Sequence, residues 1–598
     1  MQALPGITTS NDASSAPAIR GSGPQDNAYY IDFMPVGYLF HMGGMESVIN
    51  PDLVEDFNIY ASSFGPEYTD VTGGIVDVRL RNPRKDRLGG KVNLSLLEAD
   101  FLVEGPVTPT QSFYFGARRS YIDLFLAKTG ELDSGVNYQQ FPQFYDYQGK
   151  YIWDLTPDNS LTLQTSGAED QMELTFTDEA DMVKHDPIIA GDLNMKMDYH
   201  SQGVLLASRI SSRLTNKFGL SHLQTLMEEF LTQIGHVNIV TDSYYLRDHL
   251  STVVGDNHEF LVGVEGGEVR FKLDMDMTKV MPSDFNADTD YTSSARFINN
   301  DSFASHWWDL ALKDRWRVID GWTLIVGGHG SYESYFGRYR LEPRVSTEIV
   351  PVKDTLITAG WGQYHQFPEG FQIIEGMGNR HLGYVNAEHY ALGVEQRFKE
   401  GWSVKIEGYY KNLDDVVTPN LVENYSNDGS GTAYGSELLI KKNRIHDWSG
   451  WLAAGYSKTK RRNEVTGEEF PYSYDQPVII NLVYEWNFLP KWTVGAKWRY
   501  QSGAPFTPVN STYTDSTGRI RPVYGELGSE RLPDYHRLDL RIARDFLFNT
   551  WKIKAYLDII NAYDHKNIAG YEYNADYTDR APITQLPLMP SIGITAEF

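Results

Sequence analysis

The feature that most constrains the fold is a strict alternation of apolar and polar residues through most of the chain. In WTVGAKWRYQ (492–501), every second residue from Trp492 to Tyr500 is apolar or aromatic, whereas Lys497 and Arg499 occupy the other face. Successive side chains of a strand point to opposite faces, so this pattern predicts strands with one apolar and one charged face. The same alternation recurs at 402–411, 478–488 and 551–559.

Short and long connections alternate between these strands, and counting between them gives about 22 strands, an even number. Because lipid cannot satisfy unpaired backbone groups, such strands must close into a ring without edges. Short turns such as PDN (157–159) at one end and long loops at the other are typical of bacterial outer-membrane barrels. Long loops are predicted near 127–140, 175–195, 276–304, 370–386, 415–430, 464–474, 508–530 and 572–583.

The last thirteen residues, LPLMPSIGITAEF (586–598), alternate in the same way and end in an aromatic residue. We interpret them as the strand that closes the ring. Phe598 would then lie at the periplasmic rim of the lipid-facing side, where we expect it to support barrel assembly.

Composition is consistent with a wall that has one face in lipid and one in water. Tyr, Phe and Trp make up 13% of the residues, yet mean hydropathy is only −0.41, as expected where aromatic residues form rims. The chain has no cysteine, which excludes disulfides, thiolate zinc sites and cysteine nucleophiles. The net charge of −26 argues against nucleic-acid binding, which needs clustered Lys and Arg.

The first 88 residues differ from the rest, being rich in Gly, Pro and Asp, with strand-like pieces at 27–36, 54–61 and 73–81. A barrel of about 22 strands has a lumen too wide for side chains to fill. We therefore predict an all-β membrane protein, in which a mixed α/β plug domain (1–88) lies inside the lumen of a transmembrane barrel (89–598).

An ordered set of segments resembles the TonB-dependent outer-membrane receptors, and the resemblance covers essentially the whole chain. Phe33 stands where the family usually has Gly after Asp, and Thr69 where many members have Gly after Tyr. The matching segments are AIRG (18–21), YYIDFMPV (29–36), VEDFNIYASSFGPEYTDVTGGIVDVRLRNP (54–83), LEPRVS (341–346), GWGQYHQFP (360–368), GNRHLGYVNAEHYALGVEQRF (378–398), EGYYKNLDDVV (407–417) and LDIINAYDHKN (557–567).

The resemblance implies a receptor in the bacterial outer membrane that binds a scarce extracellular ligand and imports it to the periplasm through contact with TonB. The ligand classes left open are iron–siderophore complexes, cobalamin, glycans and peptides. Outer-membrane lipid and lipopolysaccharide are the other expected partners. The family's first plug strand and its TonB-contacting box have no counterpart here, and no signal peptide is visible. We expect these segments upstream of Met1; the alternative is a member of the family that has lost active coupling to TonB.

By resemblance, the loop GYLFHMGGM (37–45) faces the extracellular vestibule, where Tyr38, Phe40, His41 and Met42 could contact ligand. Functional residues concentrate on loops held by rigid scaffolds. The alternative is that these side chains pack against the barrel interior.

Five further residues are predicted to join the plug to the barrel. Arg118 is expected to face the lumen, where it could pair with a plug carboxylate or remain in water without a partner. Gly73 and Gly74 indicate a close approach of plug backbone to the wall, or an ordinary turn before a strand. Arg20 and Asp32 are assigned to plug structure from the resemblance.

Acidic residues cluster in the loops at 167–192 and 276–304, the latter with Asp284, Asp288, Asp290 and Asp301. Oxygen-rich loops can hold Ca²⁺ or Mg²⁺, or bridge lipopolysaccharide through such ions. No complete calcium-loop motif is present, so a solvated acidic surface is the alternative, and no resident cofactor is predicted.

No catalytic motif appears in the sequence. The fifteen His residues form no HExxH pair, and there is no Gly-x-Ser-x-Gly elbow or phosphate-binding loop. We therefore predict a receptor rather than an enzyme. The alternative function is a plugged barrel that anchors a surface or secretion complex without active transport.

Overall fold

The described chain is almost entirely β-structure. The structure, a computed structural model, describes residues 3–9, 11–12, 16–41, 46–121, 136–278, 283–287, 296–420 and 422–598, with the backbone alone at 137–141. No helix within those ranges is long and apolar enough to cross a bilayer. The helical turns described are Pro24–Asp26, Pro51–Leu53, Asp181–His185, Pro187–Ile189, Gly370–Ile373 and Lys399–Gly401.

Six strands precede the barrel. Four of them form one sheet in the order β4-β3-β6-β5, with β3 parallel to β6, and β1 pairs with β2. We call residues 3–88 the luminal segment. Its strands are β1 (Ile7–Thr8), β2 (Ala18–Ile19), β3 (Ala28–Ile31), β4 (Met34–Pro35), β5 (Val54–Tyr60) and β6 (Ile75–Leu80).

The strands that follow form the wall and the hairpins of its loops. They are β7 (Gly89–Ser95), β8 (Glu98–Thr108), β9 (Gln111–Ser120), β10 (Val136–Thr156), β11 (Asn159–Phe176), β12 (Gly191–Arg209), β13 (Leu214–Leu231), β14 (Gly235–Val254), β15 (His258–Thr278), β16 (Arg296–Ile319), β17 (Trp322–Glu333), β18 (Arg338–Ile349), β19 (Thr355–Gln366), β20 (Val385–Arg397), β21 (Trp402–Asn420), β22 (Asn424–Lys442), β23 (Trp448–Asn463), β24 (Glu469–Pro471), β25 (Val478–Leu489), β26 (Trp492–Gln501), β27 (Pro505–Phe506), β28 (Val509–Thr514), β29 (Ile520–Tyr524), β30 (Glu530–Arg531), β31 (Tyr535–Leu547), β32 (Lys552–Ile560), β33 (Ile568–Tyr573), β34 (Arg580–Thr584) and β35 (Met589–Glu597).

Within the described ranges, twenty-two of these strands close into one antiparallel barrel: β7–β23, β25, β26, β31, β32 and β35. The short strand β24 only extends the edge of β23, while β27–β30, β33 and β34 form hairpins and pairs in the loops. The last strand, β35, pairs with β32 on one side and with β7 on the other. The predicted fold class, strand number and closing strand are therefore confirmed.

The two faces of the wall follow the alternation in the sequence. Leu482 and Trp486 on β25 are exposed on the outer surface, whereas Asn481, which directly precedes Leu482, is fully buried on the inner side. Arg499 on β26 is likewise buried and faces the lumen with Asn481, its register partner. Trp322, Trp402 and Trp551 lie at the short-turn end and form part of an aromatic rim there.

Several strands are much longer than a membrane requires. The longest, β16, has 24 residues, whereas a tilted membrane-spanning strand needs about 9–11.

The prediction of a long loop at 415–430 is wrong, because β21 and β22 continue as a paired hairpin to Asn420 and Asn424. The Gly, Ser and Asn residues of this stretch are typical of loops, yet they pair across the two strands, with register shifts on either side of Val416.

Candidate ligand-binding site

The luminal segment lies inside the ring and bonds to strands around much of it. The side chain of Arg20 is buried between two barrel carboxylates that lie opposite each other on β21 and β22. Its guanidinium makes a two-pronged contact with Glu437 at 2.9 and 2.7 Å and reaches Glu407 at 3.0 Å. The ring of Tyr409 lies 4.8 Å from the same guanidinium. A buried arginine is thus fully compensated at this point.

Asp32 makes a second connection to the wall. Its Oδ2 lies 2.9 Å from Lys150 Nζ on β10, and its Oδ1 accepts a hydrogen bond from the backbone N–H of Leu80. Lys150 also donates to the Leu80 carbonyl at 2.9 Å. One carboxylate therefore ties the turn after β3 both to β6 and to the barrel.

Gly73 and Gly74 lie where the luminal segment passes close to its own backbone. A Cβ atom on Gly73 would lie about 2.5 Å from the carbonyl oxygen of Asp26, too close for any side chain. The Gly73 N–H donates to this oxygen at 2.6 Å, and Lys411 on β21 donates to the Gly73 carbonyl at 2.8 Å. The turn Pro24–Asp26 is thus fixed relative to the wall.

The structure places two of the predicted ligand contacts against the barrel wall. His41 is buried between Asp146 and Asp170, with nitrogen–oxygen distances of 3.1 Å to each. Tyr38 donates to Asp170 at 3.2 Å and packs edge-on against Tyr199. Both contacts favour the alternative in which these side chains pack against the barrel interior. Their role in ligand binding stays a prediction.

The other two residues of that prediction are Phe40 and Met42. Phe40 is half-buried and packs against the core of the luminal segment, and its backbone bridges to Ser47. Met42 lies outside the described residues.

Arg118 joins the same cluster and does have charged partners. Its Nε donates to Asp146 at 2.7 Å, and it also donates to the carbonyl oxygen of Ser47. Glu46 of the luminal segment lies 3.6 Å from the guanidinium. Arg118 thus faces the lumen and contacts the segment inside it.

A cavity of about 580 Å³, which we call the vestibule, opens at the long-loop end of the barrel above the luminal segment. Its floor is formed by Gln25, Asp26 and Thr72. Gln366, the last residue of β19, donates to the carbonyl of Gln25 at 2.7 Å and accepts from the Thr72 hydroxyl at 2.7 Å. The floor is therefore bonded directly to the wall.

Aromatic side chains make up much of the vestibule wall. One of them comes from the loop between β15 and β16, which reaches across to the loop between β23 and β25. There Phe285 packs edge-on against Phe470 at 5.2 Å, and Asp284 accepts a hydrogen bond from Ser473 at 2.8 Å. The aromatic lining residues are Phe285, Phe367, Phe371, Tyr425, Tyr472 and Tyr474.

Four charged side chains line the vestibule: Asp26, Asp284, Glu369 and Arg461. Desolvation, together with the neighbouring carboxylates of Asp26 and Asp284, raises the pKa of Glu369 to about 7. The Arg461 guanidinium lies over the Tyr472 ring at 3.8 Å. The vestibule is therefore lined mainly by aromatic rings, with more carboxylates than basic groups. Ligand-binding cavities commonly have such an apolar lining with a few polar groups that orient the ligand.

A second cavity, of about 520 Å³, lies beside the luminal segment. Wall strands β25, β26, β31, β32, β35, β7, β8 and β9 line one side of it. Asp52 and Glu46 of the luminal segment line the other side. In this sector the luminal segment bonds to the wall through Asp12, which accepts from Tyr535 and Arg537 on β31, and through Asp52, which accepts from Lys91 on β7. Most of its other polar contacts with the wall, within the described residues, are to β8–β23, so this sector of the lumen is the less tightly bonded one.

The sequence did not single out Asp26, Glu369 or Tyr425 as candidate residues. The one available signal was FPEGFQ (367–372), where a carboxylate stands between aromatic residues at the start of a predicted long loop. Among the described residues, no three His, Asp or Glu side chains are grouped to hold a metal ion. Asp288 and Asp290 lie outside the described residues, and cation binding by the acidic loops stays a prediction.

Comparison with known proteins gives a consistent result. A family model described as "TonB dependent receptor-like, beta-barrel" matches residues 107–562, and no curated protein matches the chain in sequence. Among solved structures, the chain is similar to the outer membrane transporter YddB from Escherichia coli, with a TM-score of 0.70 and 12% identity over 100% of this chain and 93% of that one.

Two structures from Pseudomonas aeruginosa are also similar to the chain. A mutant of the ferric enterobactin receptor PfeA in complex with enterobactin gives a TM-score of 0.75 at 14% identity, over 100% of this chain and 96% of that one. The siderophore receptor PirA gives 0.66 at 15% identity, over 100% and 95%. At these identities the likeness is one of fold.

Proposed function

The chain belongs to the TonB-dependent receptor family, a family of receptors and transporters in the bacterial outer membrane rather than of enzymes, and from this premise we propose that it binds its extracellular ligand in the vestibule. Residues 1–88 then act as the plug, which closes the lumen beneath the bound ligand. TonB displaces the plug and releases the ligand to the periplasm, and the chain makes and breaks no covalent bonds.

The observation that carries this proposal is that plug residues form the floor of the vestibule. Gln25, Asp26 and Thr72 contact the cavity from below, and Gln366 bonds two of them to the wall. A ligand in the vestibule therefore touches the element that must move for it to pass. Binding and transport are coupled through this shared floor.

We propose the cavity beside the plug as the route by which the ligand reaches the periplasm. It lies in the sector where the plug has few polar bonds to the wall, so a small displacement there would break few contacts. Charged residues of both signs line it, including Lys497, Asp539 and Arg541. We propose that the ligand passes along strands β25–β35 when the plug shifts.

A disulfide between plug and wall tests whether plug movement is needed. A Cβ atom on Gly37 would lie 2.9 Å from Cγ2 of Thr225 on β13, which is close enough for a cross-link after substitution of both by cysteine. The native chain has no cysteine to interfere. Gly37→Cys/Thr225→Cys should bind ligand normally but lose TonB-dependent uptake until a reductant is added.

Uptake is measured in cells with and without TonB, with ferric siderophores, cobalamin, oligosaccharides and oligopeptides as labelled ligands. The two single-cysteine variants are the controls and should transport normally. Transport by the oxidised double variant at the native rate would contradict plug movement. If no labelled ligand depends on TonB for uptake, the scaffold function becomes the better account. Contacts with TonB itself and with lipopolysaccharide also remain proposals.

A further inference from the structure

Carboxylates outnumber basic side chains in the lining of the vestibule. Among the described residues, no Lys or Arg forms an ion pair with Asp26, Asp284 or Glu369. Asp26 accepts a hydrogen bond from the Gly23 N–H at 2.7 Å, and Asp284 accepts one from Ser473. The positive charges of Arg461 and Lys411 stabilise the Asp26 carboxylate electrostatically without bonding to it, whereas the contacts of Asp284 and Glu369 are with neutral groups.

The single guanidinium of the vestibule is already engaged. Arg461 lies over the ring of Tyr472 and donates to the carbonyl oxygen of Lys460 at 3.2 Å. Lys411, the next cation, lies below the floor and donates to the Gly73 carbonyl and the Ser22 hydroxyl. Three carboxylates therefore stand against one arginine in the cavity.

A second, independent observation points to a bound group. Tyr425 lines the vestibule and its side chain is almost completely buried, at 1% exposure. Its hydroxyl has no hydrogen-bond partner among the described residues. A buried hydroxyl without a partner is costly, so a polar ligand group at this position would satisfy it. Aromatic faces around it attract cations in addition.

We propose that the vestibule selects a cationic ligand, one that carries an alkylammonium or guanidinium group beside an apolar or ring surface. This inference rests on the proposed function, since it assigns a ligand class to the same cavity. An anionic ligand would place like charges together beside three carboxylates. A neutral hydroxylated ligand would bond to the carboxylates but leave their charges uncompensated.

Binding of a cation should be coupled to proton release near neutral pH. Glu369 faces Asp26, Asp284, Arg461 and the phenols of Tyr425, Tyr472 and Tyr474 around the cavity, and its raised pKa leaves much of it protonated at pH 7. A cation stabilises the carboxylate, so its pKa falls in the complex. Affinity should therefore increase as the pH rises from 6 to 8.

The test is isothermal titration calorimetry on the purified full chain in detergent, with four probes. Two are cationic, the amidated tripeptide Lys-Tyr-Lys and spermidine. Comparing their affinities shows whether the vestibule prefers a basic peptide or a polyamine. Maltohexaose is the neutral probe and ferric citrate the anionic one. We expect Lys-Tyr-Lys to bind most tightly, with release of protons at pH 7.

Two variants remove charge without changing shape, Glu369→Gln and Asp284→Asn. Each should weaken Lys-Tyr-Lys roughly tenfold or more, as expected for loss of one charged contact, and Glu369→Gln should also abolish proton release. Glu468→Gln, on an exposed loop at the same end of the barrel, is the matched control and should bind as the native chain does.

The variant Val416→Trp fills the vestibule and separates failure of the ligand class from failure of the site. If maltohexaose or ferric citrate binds more tightly than the cations and Val416→Trp abolishes that binding, the vestibule stands and the cationic preference is overturned. If Lys-Tyr-Lys binds equally to all variants, or if no probe binds at millimolar concentration, this inference is overturned. The disulfide experiment then decides the transport function on its own.

Discussion

Arg20 illustrates, at the scale of one residue, how the plug is held in the lumen. Its backbone has a φ of 49°, in the left-handed region, and its side chain spans from the plug to two adjacent barrel strands. Removing one partner of a buried ion pair leaves the others without compensation, at a cost of about 3–5 kcal/mol. Arg20 should therefore stabilise the docked plug more than any surface ion pair does.

The variant Arg20→Met tests this directly. It should speed amide hydrogen exchange across residues 16–41 relative to the native chain, because Glu437 loses its ion-pair partner while buried, and Glu407 keeps only Lys405, at 2.6 Å. Arg20→Met/Glu407→Gln/Glu437→Gln removes the charges as well and should restore much of the protection. Exchange at the native rate in Arg20→Met would contradict this role.

Phe33 is a residue at which the chain departs from its family's usual glycine. Its φ of 82° is unfavourable for a side chain and costs on the order of 1–3 kcal/mol. The ring packs edge-on against His249 at 4.8 Å and lies 4.8 Å from the Arg247 guanidinium. These contacts with β14 offset the backbone strain and give the turn after β3 a further attachment to the wall.

At the scale of elements, barrel closure depends on the pairing of β35 with β7. The register runs from Gly593 opposite Ser95 to Glu597 opposite Lys91. Phe598 extends it by two backbone hydrogen bonds with Gly90, each 3.0 Å long. We call this pairing of β35 with β7 the seam of the barrel. The final residue thus contributes its backbone to the seam and its exposed ring to the lipid-facing rim.

Deletion of Phe598 should slow assembly of the barrel, because the seam loses two hydrogen bonds and the rim loses an aromatic anchor. The fraction of heat-modifiable, folded barrel on gels at successive times after synthesis measures this. Phe598→Ala keeps the backbone bonds and separates the two effects. Phe548→Ala, which removes an exposed ring at the same end of the barrel, is the control. Assembly of the deletion variant at the native rate would contradict the prediction.

At the scale of the whole molecule, the plug fills the lumen unevenly. The strands from β8 to β23 carry most of its polar contacts, and the cavity of about 520 Å³ lies along the remaining sector. The intact chain should therefore conduct few ions, while a chain without its plug encloses an open pore.

Deletion of residues 1–80 should raise single-channel conductance in planar bilayers severalfold, because the open cross-section of the lumen increases. Oxidised Gly37→Cys/Thr225→Cys keeps the plug in place and should conduct no more than the native chain. Equal conductance of the deletion variant and the native chain would contradict the assignment of residues 1–88 as a plug.

The sequence by itself determined the barrel. An alternation of period two records which side of each strand meets lipid, and backbone hydrogen bonding in lipid then requires closure. The closing role of β35, the outward row of Leu482 and Trp486 and the strand number all follow from this local rule. The hairpin at 415–430 was missed because its Gly, Ser and Asn residues form strands only through pairing across the turn.

Only the tertiary structure decided the candidate site. The vestibule joins Asp26, Asp284, Glu369 and Tyr425, which lie as many as 399 positions apart in the sequence, and no local pattern encodes such a meeting. His41 and Tyr38 were predicted to contact ligand from their position in a loop, yet their surroundings include carboxylates from β10 and β11. A period of two in the sequence indicates which side chains of a strand face the lumen. It does not indicate which residues of other strands and of the plug they meet there, because that depends on how the whole chain is folded.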